Sequence, residues 1–191
     1  MNGWRMADVL TPQDGTYVAQ VPLAGCRLDT LLPADITVTC DGFTATCAIL
    51  PEDDAGTLER KLAQLGADLL IETLRALEQD AISPQPQDHS LATYAPPITR
   101  EDSLIRWEET ALRIWCRVRA MSPKPGSGFF WNEKWVKVWK CLPVSDRTPQ
   151  PPSSVLKVER QSLYVACGEG TILQLLEVQP ESRPRMSAGD W

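Results

Sequence analysis

Histidine is scarce in this sequence of 191 residues, where His89 is the only one. It lies in the stretch QPQDHSLATYAPPITRED, among Gln, Asp, Ser and Pro residues. An imidazole titrates near neutral pH and often serves in catalysis. In such polar, proline-rich surroundings, however, a histidine is more often a solvated loop residue. The sequence therefore predicts a surface loop at His89 rather than a catalytic centre.

Paired metal-binding cysteines are also lacking. The chain has six cysteines, but none forms a Cys-x-x-Cys pair and none lies beside the histidine. This spacing argues against a zinc site. We expect free thiols that act as small apolar fillers of the core. The six are Cys26, Cys40, Cys47, Cys116, Cys141 and Cys167.

Long apolar runs are absent from the sequence. None approaches the roughly 18 to 20 residues that a helix needs to cross a bilayer. The N-terminal segment MNGWRMADVLTPQD has no apolar core of the kind found in secretory signal peptides. These absences predict a soluble, cytoplasmic protein whose thiols stay reduced.

Charge is distributed unevenly along the chain, whose formal net charge is -6. Residues 1–116 contain 8 basic and 18 acidic side chains, whereas residues 117–191 contain 11 basic and 7 acidic ones. A basic C-terminal part on an acidic chain favours a polyanionic partner. Ordinary solvated surface charge remains the alternative.

The first half of the sequence contains a hairpin signal and a helix signal. In ITVTC-DG-FTATCAI, polar and apolar residues alternate on both sides of Asp41-Gly42, which predicts a hairpin with a two-residue turn. In the following segment, leucines recur every three to five residues, which predicts a helix with one apolar stripe. The stripe consists of Leu58, Leu62, Leu65, Leu69, Leu74 and Leu77.

The second half begins with a break in regular structure. Four prolines between Ser83 and Pro97 exclude a helix there and predict an extended surface connector. A second helix is predicted from about Glu108 to Met121. Five short strands follow, with a spacing typical of a small antiparallel barrel or curled sheet. They are GFFW, KWVKVWKC, SVLKVE, SLYVAC and TILQLLEV.

Residues 54–191 carry several motifs in an order that resembles one family. The motifs are AGTLERKLAQLGADLLIETL, QDHSLATYAPPITRED followed by IRW, WVKVWK, VACGEGTILQLLEVQP and RPRMSAGDW. Together they resemble the C-terminal portion of the methionyl-tRNA formyltransferase family. The resemblance implies an α+β protein in which residues 1–82 are a shortened remnant of a Rossmann-like catalytic domain. Residues 83–107 would be an extended interdomain linker, and residues 108–191 an OB-like antiparallel β-barrel that binds tRNA.

The same resemblance shows which catalytic groups are missing. The family's transfer chemistry uses an Asn-x-His pair, a Ser-Leu-Leu-Pro segment and an Asp within Leu-Asp-Thr-Gly. The imidazole and carboxylate assist proton transfer from the amino nucleophile, and the amide stabilises the developing oxyanion. Neither of the first two motifs occurs in this sequence, and His89 lies in the connector. Arg27-Leu28-Asp29-Thr30 echoes the third motif with Leu31 in place of the glycine, so Asp29 is the one remaining catalytic candidate.

The family also implies a donor and a partner. The formyl donor would be 10-formyltetrahydrofolate, although no residue of this chain is predicted to hold it, and the partner would be initiator methionyl-tRNA. We expect a monomer and no metal. A separate polypeptide that supplies the catalytic half is an open possibility, and so is the catalytic activity of the chain itself.

Basic and aromatic side chains of the C-terminal part are the predicted RNA contacts. In KWVKVWK the period of two places Trp135, Lys137 and Trp139 on one face of a strand, where they would grip and stack on an RNA backbone. The alternative is a half-buried strand whose tryptophans cover the open end of the barrel. The full predicted set is Arg117, Arg119, Lys124, Lys134, Trp135, Lys137, Trp139 and Lys140.

Two other functions remain open at this point. The chain would be a non-catalytic relic or a protein-interaction domain if its acidic first half repels RNA. Alternatively, it would be a formyltransferase with another acceptor, since family members that act on sugar nucleotides or on folate share a similar C-terminal domain.

Overall fold

A computed structural model describes residues 34–40, 43–82, 90, 94 and 96–191. The described residues fall into two compact units. The first unit comprises residues 34–40, 43–52 and 57–82 together with 90, 94, 96 and 97, and the second comprises residues 53–56 and 98–191. Asp29 and His89 lie outside the described residues.

The first unit begins with the predicted hairpin. β1 (Ala34–Cys40) pairs in antiparallel register with β2 (Phe43–Ile49). The register leaves two residues for the connection, in agreement with the Asp41-Gly42 signal, although the turn itself lies outside the described residues. From Ala45 onward, the side chains of β2 alternate between half-buried and exposed, as expected for a strand with one covered face.

The helix α1 (Ala55–Glu78) confirms the predicted helix but not the whole predicted stripe. The first four leucines of the stripe are buried or half-buried, whereas Leu74 and Leu77 are 51% and 37% exposed. Thr73 takes the inward position instead, and its hydroxyl donates to the Leu69 carbonyl oxygen at 2.8 Å. A step of five residues rotates the helix by roughly 140° beyond a full turn, so Leu74 cannot share the face of Leu69. The prediction is therefore wrong for the last two leucines.

The second unit is built around α2 (Ala111–Met121), which starts three residues later than predicted. Thr110 has an extended backbone, and its hydroxyl oxygen accepts a hydrogen bond from the Arg113 N–H at 3.4 Å. The hydroxyl oxygen of Thr171, distant in sequence, accepts one from the Ala111 N–H at 2.9 Å. Two N–H groups that a helix leaves free at its start are thus satisfied by threonine oxygens.

An antiparallel sheet follows α2 and confirms the α+β class. Its strands are β3 (Ser127–Trp131), β4 (Lys134–Val144), β5 (Val155–Val158), β6 (Leu163–Ala166), β7 (Ile172–Pro180) and β8 (Met186–Ser187). The order is β3-β4-β7-β6-β5, and β8 pairs with the second half of β7. The five predicted strands are all present, whereas β8, within RPRMSAGDW, was not predicted.

The hydrophobic core of the second unit joins α2 to the sheet. The predicted apolar face of α2 is buried at Ala111, Ile114, Trp115 and Val118. Cys141 and Cys167 are buried in the same core, as small apolar fillers, which confirms their predicted role. The largest fully buried sheet residues in this core are Val136, Val138, Leu173, Leu175 and Val178.

A tight turn between β6 and β7 fixes the start of α2. The Gly168 N–H donates to the carbonyl oxygens of Trp107 at 2.9 Å and of Glu109 at 2.8 Å. A Cβ atom at this position would lie 1.9 Å from the Glu108 carbonyl oxygen, so only glycine fits. The Thr171 hydroxyl donates to the Gly168 carbonyl oxygen at 2.7 Å. Backbone contacts therefore dock the segment before α2 directly onto this turn.

Replacing Thr171 by valine tests the cap of α2. Thr171→Val is expected to lower the free energy of unfolding by about 1–3 kcal/mol, because the Ala111 N–H loses its acceptor. Thr171→Ser keeps the hydroxyl and is the matched control, with an expected loss of about 1 kcal/mol or less for the missing methyl group. Urea denaturation followed by tryptophan fluorescence measures both values. Unchanged stability of the valine variant would contradict the capping role.

The two core thiols provide a second test. Burial raises the pKa of Cys141 and of Cys167 to about 12. Both thiols are therefore protonated and shielded at about pH 8, and a thiolate-specific reagent should label neither of them in the folded chain. Full labelling is expected after denaturation in guanidinium. Peptide mass spectrometry locates the label, and modification of either thiol in the folded protein would show that this core opens.

Candidate nucleic-acid interface

The strand β4 has two different faces, as its sequence predicted. Val136 and Val138 are each 2% exposed and belong to the core. Trp135, Lys137 and Trp139 are half-buried on the opposite face. The structure confirms the predicted alternation, and it shows an aromatic and basic surface that is half accessible to solvent.

A bulge in the middle of β4 turns a further lysine toward solvent. The register with β7 shifts between Val138 and Lys140, and again between Lys140 and Cys141. Lys140 is exposed, and the next buried residue after Val138 is Cys141. An extra residue on one strand of an antiparallel pair has this effect. Strict alternation would point Lys140 into the core, and the bulge points it toward solvent instead.

Two cations lie against the Trp139 ring. The Lys137 Nζ atom is 3.8 Å from the ring centroid, and the Arg185 Cζ atom is 4.8 Å from it. The indole N–H of Trp139 donates to the Gln179 side-chain oxygen at 3.0 Å, which fixes the ring. Trp139 thus holds two positive charges in place. Sequence reasoning missed Arg185, although the two arginines of RPRM lie in the basic C-terminal part of the chain and were a usable signal.

Lys137 is the most constrained cation of this surface. Its Nζ donates to the Pro123 carbonyl oxygen at 2.8 Å. Gly126 has a positive φ of 85°, and a Cβ atom there would lie 2.0 Å from the Lys137 Cε, so this glycine makes room for the lysine. Burial lowers the pKa of Lys137, and the nearby charges of Lys124 and Arg185 lower it further. These three cations form what we call the basic cluster: Lys124, Lys137 and Arg185.

The basic cluster is only partly neutralised by carboxylates. Within residues 96–191, the ion pair found for it joins Arg185 to Glu177. Burial is the main cause of the lowered pKa of Lys137, and the charges of Lys124 and Arg185 add to it; three cations so close together favour an anion as their ligand. Lys134 and Lys140 are exposed at two other positions of β4 and extend the positive surface.

The two predicted arginines of α2 have different surroundings. Arg117 donates from Nη2 to both carboxylate oxygens of Glu109, at 2.6 and 2.8 Å, and from Nη1 to the Leu104 carbonyl oxygen at 3.1 Å. Arg119 donates from Nε to the Asp53 carbonyl oxygen at 2.6 Å, and its guanidinium lies 4.4 Å from the Trp115 ring centroid. Both arginines hold parts of the second unit together, and the structure does not bring them into the basic cluster.

Exposed aromatic side chains adjoin the same strand. Phe130 and Trp131, at the end of β3, are 54% and 52% exposed. The Phe130 ring packs edge-on against Trp135, with 5.1 Å between centroids, and the Trp131 ring lies 6.0 Å from that of Trp191. Sequence reasoning assigned GFFW to a strand and missed its accessible aromatic rings. These rings offer faces on which bases stack.

Two open cavities flank the outward face of β4. The larger, of about 570 Å³, is lined by Lys140, Glu177 and Arg185 among others. The second, of about 460 Å³, is lined in part by Trp135 and Arg100. Both cavities therefore combine a basic group with apolar or aromatic walls.

The described part of the chain offers neither a metal centre nor a membrane-spanning helix. No group of three or more His, Cys, Asp or Glu side chains there has the geometry to hold a metal ion. The helices of these residues lack an apolar stretch of the length that a bilayer requires.

Comparison with known sequences finds a matching family and curated relatives. Residues 97–191 match the family described as formyl transferase, C-terminal domain. A methionyl-tRNA formyltransferase of Dictyoglomus turgidum is 40% identical over 142 residues, which cover 73% of this chain and 45% of the relative. One of Solibacter usitatus is 44% identical over 141 residues, which cover 74% of this chain and 44% of the relative. The chain spans less than half the length of these curated relatives.

Comparison with solved structures identifies the fold alone. HypX from Aquifex aeolicus, in complex with tetrahydrofolic acid, gives a TM-score of 0.61 at 15% identity over 82% of this chain and 29% of that chain. The sugar 3N-formyl transferase WlaRD gives 0.52 at 13% identity over 82% of this chain and 58% of that chain. The sequence comparisons confirm the predicted resemblance: residues 97–191 match the formyl transferase, C-terminal domain family, and about 73% of the chain is similar to curated methionyl-tRNA formyltransferases.

Proposed function

We propose that this chain supplies the tRNA-binding part of a methionyl-tRNA formyltransferase, the enzyme that formylates initiator methionyl-tRNA at the start of translation. The observation that carries the proposal is the basic cluster beside Trp139 on an otherwise acidic chain. The name shared by the curated relatives identifies the nucleic acid as tRNA. The working site is then the outward face of β4 with its neighbours.

Phosphate groups are the ligands that fit the basic cluster best. Lys124, Lys137 and Arg185 lie close enough for their charges to interact. A phosphodiester placed among them relieves that repulsion and releases counterions. Lys134 and Lys140 contact neighbouring phosphates, and Phe130 and Trp131 stack on unpaired bases. Arg117 and Arg119, which were also predicted to contact RNA, contribute mainly long-range attraction from their present positions.

The finer architecture is part of the same proposal. The antiparallel sheet of residues 108–191 is an OB-like barrel, a fold whose strand faces commonly bind oligonucleotides. Residues 83–107 form the linker, and residues 1–82 are the remnant of a Rossmann-like catalytic domain. The relatives support this division, because their match extends upstream of the C-terminal domain. The chain acts as a monomer in the cytoplasm.

Formyl transfer requires groups beyond those of this chain. The sequence contains no Asn-x-His pair, and Asp29 is its one candidate for the catalytic carboxylate. The donor is 10-formyltetrahydrofolate, as the family name and the tetrahydrofolate complex of HypX suggest. In this proposal, the remaining catalytic groups come from outside these 191 residues.

A second candidate function is protein interaction without RNA. The exposed leucines at the end of α1 are the observation that favours it. A non-catalytic relic would keep such a surface and lose RNA binding. A formyltransferase with another acceptor would instead bind a sugar nucleotide or folate, and the sugar formyltransferase structures share the fold without identifying the acceptor.

Salt dependence tests the phosphate contacts directly. The logarithm of the association constant for tRNA is expected to fall linearly with the logarithm of salt concentration. Lys137→Gln should weaken binding at low salt and reduce the slope by about 0.7–0.9, because one phosphate contact is lost. Fluorescence anisotropy with labelled initiator tRNA at several salt concentrations measures the slope.

Lys157 provides the matched control for this measurement. It is an exposed lysine on β5, where it is ion-paired with Glu159, and it lies outside the basic cluster. Lys157→Gln should leave the slope unchanged. If both variants reduced the slope equally, binding would depend on the overall positive charge of the chain rather than on the surface of β4. If the unaltered chain fails to bind tRNA even at low salt, the proposed function is wrong.

Activity of the chain alone is the second test. With charged initiator tRNA and 10-formyltetrahydrofolate, the purified chain is expected to produce no formylmethionyl-tRNA, because the Asn-x-His pair is absent. Acid gel electrophoresis or mass spectrometry of the product measures turnover, and a complete formyltransferase serves as the positive control. Measurable turnover would show that residues 1–82 contain an unrecognised catalytic centre.

A further inference from the structure

The smaller cavity beside β4, of about 460 Å³, lies within the second unit. Its volume falls in the range of roughly 300–1,000 Å³ that is typical of small-molecule sites. Trp135 lines it from β4, Arg100 and Ser103 line it from the segment before α2, and Glu181 lines it from the end of β7. An aromatic ring, a cation, a hydroxyl and a carboxylate are therefore available to one ligand.

The hydroxyl of Ser103 is the feature of this cavity that packing leaves unexplained. Ser103 is 4% exposed, and its oxygen is the one buried side-chain polar atom, among the residues that the structure describes, without a hydrogen-bond partner. Such atoms are rare in folded proteins, because a buried polar group without a partner costs free energy. Since Ser103 lines the cavity, a ligand bound there can supply the missing partner.

The segment that carries Ser103 is fixed on both sides of it. The Thr99 N–H and hydroxyl donate to one carboxylate oxygen of Asp102, at 2.7 and 2.8 Å. The Ile105 N–H donates to the Gly128 carbonyl oxygen at 2.8 Å, which joins the segment to β3. Ser103 lies between these contacts, so its place at the cavity is set before a ligand binds, and binding requires little ordering of this segment.

Trp135 gives the cavity a fixed aromatic wall. A Cβ atom on Gly128 would lie 2.7 Å from the Trp135 Cζ2 atom, so the missing side chain makes room for the ring. The edge-on contact with Phe130 holds the same ring from β3. An aromatic ring of this kind is a surface on which a nucleic-acid base stacks.

The cavity also adjoins the basic cluster. Gly126 lines the cavity, and a Cβ atom on this glycine would lie 2.0 Å from the Lys137 Cε atom. Trp135 and Lys137 moreover share the outward face of β4. An RNA backbone that contacts the basic cluster therefore runs beside the cavity, close enough for one base to enter it.

We propose that this cavity binds one unpaired nucleotide of the RNA whose phosphates contact the basic cluster. The inference rests on the proposed function and adds a base-binding site to it. The base stacks on Trp135, the Ser103 hydroxyl forms a hydrogen bond with the base, and Arg100 contacts the adjoining phosphate. The Glu181 carboxylate accepts hydrogen bonds and donates none, so cytosine, with its N4 amino group, is preferred over uracil, which has an oxygen at that position.

Replacing Ser103 by alanine tests the cavity in the full chain. Ser103→Ala should weaken binding of labelled initiator tRNA about three- to tenfold, because one hydrogen bond to the base is lost. The melting temperature of the chain alone should not fall, since no hydrogen bond within the chain is lost. Fluorescence anisotropy and thermal denaturation measure the two effects.

Ser162→Ala is the matched control for this measurement. Ser162 is 3% exposed, and its hydroxyl donates to a Glu159 carboxylate oxygen at 3.3 Å, outside the cavity. This variant should lower the melting temperature and leave the affinity for tRNA within about twofold. Unchanged affinity of Ser103→Ala, or equal losses of affinity in the two variants, overturns the proposal.

Mononucleotides test the cavity without tRNA. In NMR spectra of the nitrogen-15-labelled chain, millimolar CMP is expected to shift the Trp135 indole N–H signal and the Ser103 amide signal. Trp135→Phe identifies the indole signal by removing it. UMP should bind several-fold more weakly than CMP. Absence of both shifts overturns the proposal, and equal binding of CMP and UMP overturns the assigned base preference.

The two measurements separate this inference from the proposed function. If Lys137→Gln weakens tRNA binding and Ser103→Ala does not, the proposed function stands and the cavity assignment is wrong. If CMP binds in the cavity but tRNA does not bind to the chain, the proposed function is wrong, and the cavity is a site for a free nucleotide rather than for RNA.

Discussion

The backbone contact between Gly168 and the segment before α2 is the constraint on which the second unit depends. One N–H group donates to two carbonyl oxygens, and a missing Cβ atom allows the two chain segments to touch. Thr171 then caps the helix from the same turn. This contact fixes the residue at which α2 begins. The buried side chains of α2 therefore pack against the sheet in one arrangement and cover the inner face of β4.

The chemistry of the outward face of β4 follows from the packing of its inner face. Because Val136 and Val138 are fixed in the core, the lysine between them and the tryptophans on either side must point outward. The bulge then adds Lys140 to the same accessible surface. Gly126 and Pro123, from the loop after α2, provide the space and the carbonyl oxygen that position Lys137. The inner face of β4 thus belongs to the hydrophobic core, and its outer face carries the candidate site.

The sequence predicted what depends on local periodicity. The hairpin, both helices, five strands and the two faces of KWVKVWK follow from patterns of two or of three to four residues. The bulge in β4 was not predictable, because it depends on pairing with β7. The approach of Arg185 to Trp139 joins segments that are remote in the sequence. Leu74 and Leu77 were assigned to the wrong face because a step of five residues was accepted as part of one stripe.

The bonds that hold Lys137 have a consequence for the entropy of binding. A free lysine side chain loses about 1.5–2 kcal/mol of rotamer freedom when a ligand immobilises it. Lys137 is already held by the Pro123 carbonyl oxygen and the Trp139 ring, so folding has removed most of that freedom before any anion arrives. Its charge is preorganised. A ligand therefore gains more binding free energy from contact with this lysine than from contact with the unrestrained lysines around it.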